Sequence, residues 1–242
     1  MSKIIFAGDS ITQGAWTVDA QGNQLTGLTN AQKFSTLVGN ARGFDTVVNA
    51  GVSGDTVTGL YNRLYSIISQ SPDVVVIMIG TNDVGHAQTP ITTLATFTQK
   101  INDIVEALLA ENIRVCLMSW PTANHDYWGG VNSPAYLDAI AQAAQSHSVG
   151  YIPVYEMWCA YKWAAALTVE AYDALYWEQS GVAFHPSVSG AQVIADFILK
   201  NQFSHLLTVE PPSVPITDVS EFVEVVITAI PWLSAEYLTG LF

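Results

Sequence analysis

The chain has 242 residues, half of them hydrophobic and 12% charged, which suits one large domain, or one domain with an appendage, around a sizeable core. Eight basic and 21 acidic residues give a formal charge of −13, which argues against nucleic acid or an anionic membrane as a partner. No run approaches about 18 consecutive apolar residues, so no membrane span is expected. No leader pattern precedes the first element, so the cytoplasm is the default location, with carriage on a virion or release by lysis left open.

Lys3-Ile4-Ile5-Phe6-Ala7 reads as a buried strand that Gly8-Asp9-Ser10 stops. A strand ending there sets the Ser10 hydroxyl at a strand C-terminus, where open α/β sheets bind ligands. Ser10 is therefore a candidate nucleophile, although the same residue types also make a capped turn. Residues 11–29 form a long polar segment carrying Trp16, expected as a loop over a binding site. Asn30 caps a helix to about Val38, and Thr46-Val47-Val48 is a second strand ending in a Gly-rich turn, 49–56. A helix to about Ser69 follows, with Leu60, Leu64, Ile67 and Ile68 at helical spacing.

Residues 73–79 form the clearest strand, apolar throughout as a central parallel strand should be, and they end in Gly80-Thr81-Asn82-Asp83. Pro90 opens a helix over about 91–110. A fourth strand over 113–118 ends in Ser119-Trp120-Pro121, and a polar, aromatic loop holds His125, Tyr127 and Trp128. A helix from Ser133 to about His147 and a fifth strand over 150–154 follow. Residues 155–178 are aromatic and helical in pattern; then His185-Pro186 makes a turn, and Ser187 or Ser189 caps a last amphipathic helix. Cys116 and Cys159 lack metal-ligand spacing and read as buried small hydrophobes.

This alternation predicts a three-layer α/β/α sandwich with a mainly parallel five-stranded sheet, its strand C-termini on one edge. It occupies residues 1–208. Residues 209–242 are a Pro-rich linker and an apolar tail without Lys or Arg, expected to dock on the domain, on another subunit in a homo-oligomer, or on a larger assembly.

Four stretches then gain meaning together: Gly8-Asp9-Ser10-Ile11-Thr12, the run Asn49-x-Gly51-x-x-Gly54-Asp55-Thr56, Gly80-Thr81-Asn82-Asp83, and His185-Pro186. In order, each at a predicted strand end or loop, they resemble the four blocks of the SGNH (GDSL-type) serine hydrolases, over roughly residues 3–200. The resemblance implies the flavodoxin-like SGNH fold, Ser10 as nucleophile and His185 as its general base. It also implies an oxyanion hole from the N–H groups of Ser10 and Gly51 and the Asn82 amide. Chemistry agrees with these roles: a serine hydroxyl is a weak nucleophile without a base, and the developing oxyanion needs fixed donors. The missing Cβ of Gly51 would let an acyl group approach the backbone.

One position departs from the family pattern. Val182 stands where an Asp usually orients the histidine. A backbone carbonyl near Val182 could replace it, leaving a dyad; alternatively Glu178 or Asp173 could reach in, or the site could be impaired. Trp16, Asp83, Trp120, His125, Tyr127 and Trp128 are candidate substrate contacts, and the aromatic ones suit sugar rings. The leading expectation is an esterase of short acyl esters, including carbohydrate O-acetyl groups. Lipase-like or thioesterase action on longer chains is the rival within the class, and a degenerate glycan-binding or assembly module is the rival outside it. No metal or cofactor is implied, since acyl transfer by this route needs neither.

Overall fold

The strand over 74–78 is the axis of the domain because no residue in it is polar. In the computed structural model, which describes residues 1–15, 17–18, 24–25, 27–85, 90–121, 133–158 and 185–200, every residue of Val74–Met78 is buried. Five strands form one all-parallel sheet: β1 (Lys3–Gly8), β4 (Thr46–Gly51), β5 (Val74–Met78), β6 (Arg114–Met118) and β7 (Gly150–Ile152), in the order β4-β1-β5-β6-β7. Counted along the chain this is 2-1-3-4-5, the flavodoxin-like order, which reverses direction at β1. The expected fold class is what the chain adopts.

Helices flank the sheet. Here α2 (Phe34–Ala41) packs on α8 (Val188–Lys200), while α6 (Leu94–Ala110) packs against both α3 (Val57–Asn62) and α7 (Ser133–Ser146). Phe6 of β1 meets Phe34 of α2 edge-on at 5.9 Å between centroids, and Phe97 of α6 meets Tyr136 of α7 at 5.0 Å. Such aromatic pairs fix how a helix sits on its neighbour, beyond simple area burial. Cys116 is buried in β6 as a small hydrophobe, and burial pushes its thiol pKa up.

Several elements differ from the sequence reading. Residues 11–29 are not one loop: α1 (Ser10–Gln13) is a single helical turn, and Thr17–Val18 (β2) pairs antiparallel with Gln24–Leu25 (β3). The helix expected from Asn30 starts with a 3₁₀ turn, Asn30–Gln32, before α2. Pro90 does not open α6; Thr93 caps it three residues later, its hydroxyl accepting from Thr96 N–H. The single helix expected to Ser69 breaks at Arg63 into α3 and α4 (Leu64–Ile68).

At the other end of the domain, Ser187 caps α8, its hydroxyl accepting from Gly190 N–H at 3.2 Å. Arg42, at the C-terminal end of α2, donates to the Leu199 carbonyl at 3.2 Å. The helix that follows His185 is therefore fastened to the sheet through α2. No described helix is long and apolar enough to cross a membrane. Trp16, His125, Tyr127, Trp128, Cys159, Asp173, Glu178, Val182 and the 209–242 tail lie outside the described residues.

Candidate active site

Sheet register builds the site. Gly8 pairs with Gly51 on one side and with Met78 on the other, so β1, β4 and β5 end level. The chain leaves β1 through Asp9, whose Oδ1 accepts from Ile11 N–H at 2.9 Å and caps α1. Ser10 is the first residue of that turn and is 7% exposed. Its backbone N–H is one of the first-turn donors that a helix cannot satisfy internally.

His185 reaches Ser10 across 175 residues of sequence, with Nε2 2.8 Å from Ser10 Oγ. Burial lowers its pKa from the usual 6.5 to about 4. At neutral pH the imidazole is therefore uncharged and able to accept a proton.

The Gly51 N–H points at its own strand's Asn49, whose Oδ1 accepts at 3.1 Å, while Asn49 Nδ2 donates to the Thr12 carbonyl and to Ser35 Oγ. Asn49 thus ties the end of β4 to α1 and to α2. The absent Cβ of Gly51 does not leave room for an acyl group, as the sequence suggested. A Cβ there would lie 2.2 Å from Gln13 N and 2.8 Å from the Asp9 carbonyl oxygen, so the space is filled by α1.

Asn82 lies on the short helix α5 (Thr81–Val84), beyond Gly80 at φ +133°, a conformation only glycine adopts readily. Its Nδ2 donates to the Asp55 carbonyl at 2.8 Å. A primary amide has two N–H groups, so this bond uses one and fixes the direction of the other.

Behind these loops lies Arg63. Its Nε donates to Asp55 Oδ2 at 2.7 Å, Nη1 to the Ala50 carbonyl at 2.9 Å, and Nη2 to the Gly8 carbonyl at 3.1 Å. Sequence reasoning passed over it. The available signal was a rare basic residue, one of eight in the chain, interrupting an apolar helical pattern.

The GDSL-like lipase/acylhydrolase family model matches residues 6–193. The chain belongs to that family. It is an SGNH-type ester hydrolase. A search of the curated proteins found no match. Among solved structures, the acetyl xylan esterase AlAXEase superposes with a TM-score of 0.64 at 24% identity, over 82% of this chain and 98% of its own. A mutant of Axe2, an acetylxylan esterase from Geobacillus stearothermophilus, gives 0.63 at 23% identity over 82% and 93%. A lipase/acylhydrolase from Enterococcus faecalis gives 0.64 at 21% identity over 88% and 100%.

In this hydrolase two candidate substrate contacts have other work. Asp83 is fully buried, and its carboxylate accepts from Val57 N–H at 2.9 and 3.2 Å, so it caps α3 rather than facing a ligand. Trp120 is 4% exposed and lies against Gly80, where a Cβ would stand 2.4 Å from the indole ring; it is a core residue.

Burial also dominates the two carboxylates. It raises Asp9 to about 7 and Asp83 to about 6 from 3.8. The Thr81 hydroxyl is close enough to Asp9 to favour its charge, yet neither Asp9 Oδ2 nor Thr81 Oγ1 has a hydrogen bond of normal geometry among the described residues.

Proposed function

We propose that this ester hydrolase cleaves short acyl esters, with Ser10 as nucleophile and His185 as general base. The 2.8 Å contact between Ser10 Oγ and His185 Nε2 carries the reading. The Ser10 hydroxyl proton passes to Nε2 as Oγ bonds the ester carbonyl carbon, and the carbonyl oxygen becomes an oxyanion. That oxyanion sits among the N–H groups of Ser10 and Gly51 and the second N–H of Asn82, displacing the Asn49 contact at Gly51. When the tetrahedral intermediate collapses, the C–O bond to the alcohol breaks and Nε2 returns its proton to the leaving oxygen. Water repeats the sequence on the acyl-serine, releasing the acid and regenerating Ser10. Each oxyanion donor is worth on the order of 10²–10³ in turnover.

The substrate reading favours acetyl esters of a carbohydrate. Its support is the family together with neighbours named acetylxylan esterases. The test is a p-nitrophenyl ester series run beside acetylated xylooligosaccharides. We expect acetate to be preferred and acetate to be released from the oligosaccharide. A preference for octanoate or longer would move the substrate to lipid-like or thioester acyl chains, and no turnover of any ester would remove the proposal.

The histidine sets the acid limb. Only the neutral imidazole accepts the serine proton, so kcat/KM is expected to hold down to about pH 5 and fall with an apparent pKa near 4. Unfolding has mixed signs in this range. Asp9 and Asp83 bind protons more tightly when folded, so their contribution to stability is present at acid pH and is lost as pH rises through about 6–7. His185 acts oppositely, costing stability as pH falls below 6.5. Circular dichroism across the same pH range separates the two processes. An acid limb centred at an ordinary 6.5 would contradict the buried placement of His185.

A further inference from the structure

We infer that Arg63 is the positioning residue of the oxyanion site. This rests on the reading just given, because it concerns the donors of that site. One guanidinium bonds two of the three loops that carry them and reaches the third, Asn82's, through Asp55. Its Nη2 bond to the Gly8 carbonyl holds the end of β1, two residues before Ser10. Its Nη1 bond falls on the Ala50 carbonyl, which belongs to the same peptide unit as the Gly51 N–H. Its Nε bond holds the Asp55 carboxylate, and the carbonyl of that same Asp55 accepts from Asn82.

The middle contact is the most telling. A peptide unit is planar, so fixing the carbonyl direction fixes the N–H direction on the opposite side. A charged donor on the carbonyl also polarises the unit and makes its N–H a stronger donor. Arg63 thereby aims and strengthens the Gly51 donor without touching substrate. The Asp55 carboxylate neutralises much of the guanidinium's own field, so the effect is directional more than one of net charge.

The fork geometry explains why the residue is arginine. Nε, Nη1 and Nη2 lie in one plane and each meets a different acceptor here; a lysine ammonium presents a point charge without that fork. The break between α3 and α4 falls at the same residue. Arg63 has φ −103° and ψ 8°, and its N–H is shared between the Gly59 and Leu60 carbonyls at 3.2 Å each.

A purely mechanical staple would make the same bonds, so the test needs readouts that a staple leaves alone. Arg63→Gln, Arg63→Lys and wild type are compared in p-nitrophenyl acetate turnover, in binding of phenylboronic acid, which forms a tetrahedral adduct on an active serine, and in thermal melting. We expect kcat for Arg63→Gln to fall on the order of 10²-fold, the scale of one lost oxyanion donor, with KM within about threefold. Boronate affinity should fall in parallel, and Arg63→Lys should lie between.

If Arg63→Gln does not fold, Arg63→Lys carries the comparison. Wild-type kcat in a folded variant, a loss seen only in KM, a loss that merely tracks the folded fraction, or unfolding of both variants would each overturn the proposal. Those outcomes occur with active wild type. A wild type that neither turns over ester nor binds boronate instead removes the esterase reading, and this inference with it.

Discussion

Ser10→Ala should lower p-nitrophenyl acetate hydrolysis by on the order of 10⁴-fold or more while leaving the melting temperature nearly unchanged. The substitution deletes one oxygen, whose hydrogen-bond partner is His185 Nε2. The cap of α1 survives, because it is supplied by the Asp9 side chain to Ile11 N–H and not by Ser10. Deleting a hydroxyl from a first-turn residue costs little packing. The chemistry has no comparable substitute, since water must then attack without a positioned nucleophile. A fluorophosphonate probe gives an independent check: wild type should label at Ser10 and the variant should not. If the variant keeps more than about one-hundredth of wild-type kcat after background subtraction, the nucleophile is elsewhere.

Gly51→Ala should damage both stability and activity, for a steric reason. The added methyl would stand 2.2 Å from Gln13 N, 2.7 Å from Gln13 Cα and 2.8 Å from the Asp9 carbonyl oxygen. All three are backbone atoms, which cannot swing aside as a long side chain can. The turn of α1 must shift as a unit, and Ser10 moves with it. Overpacking of this kind costs about 1–3 kcal/mol, which in a domain of this size lowers the melting temperature by roughly 2–12 °C. A displacement near 1 Å at the nucleophile costs about 10²-fold in rate. We therefore expect kcat/KM to fall by about that factor in the folded fraction. A variant with wild-type melting and more than about one-third of wild-type kcat/KM would show that α1 yields freely, and that Gly51 is glycine for another reason.

The parts of the fold legible in the sequence are those where one signal dominates. The run over 74–78 has no polar residue and no competing reading, and its strand assignment follows. The strand ends at Gly8, Gly51 and Gly80 punctuate apolar runs, so the edge that gathers Ser10, Gly51 and Asn82 could be read directly. Boundaries were less legible. Pro90 and Thr93 are both good helix openers, and only the hydrogen bond from Thr96 decides for Thr93. The break at Arg63 was hidden because Leu60, Leu64 and Ile67 keep helical spacing straight through it.

Side-chain direction was the least legible of all. Trp120 follows a strand at the ligand-binding edge, and its position invites a role in a cleft. Its ring turns inward because Gly80 offers a face without a Cβ. Asp83 sits beside Asn82 in sequence, yet successive residues of a helical turn face different ways, and Asp83 points to the start of α3. What orients His185 could not be read either, because the residue at the usual position is Val182.

The contact between Ser10 and His185 also has a consequence for biosynthesis. Its two halves are 175 residues apart, near opposite ends of the domain. As the chain leaves the ribosome, β1 emerges first, but it is the strand between β4 and β5 and cannot be covered on both sides until residue 78 is free. Until then its Ile4-Ile5-Phe6 stretch is an exposed edge, the kind of segment on which nascent chains associate and chaperones bind. The turn that carries Ser10 is thus made early, and His185, its base in the proposed mechanism, arrives late, carried in just ahead of α8. Ester turnover consequently reports completion of folding rather than formation of the sheet, and a nascent or truncated chain can be well structured at β1, β4 and β5 and still be inert.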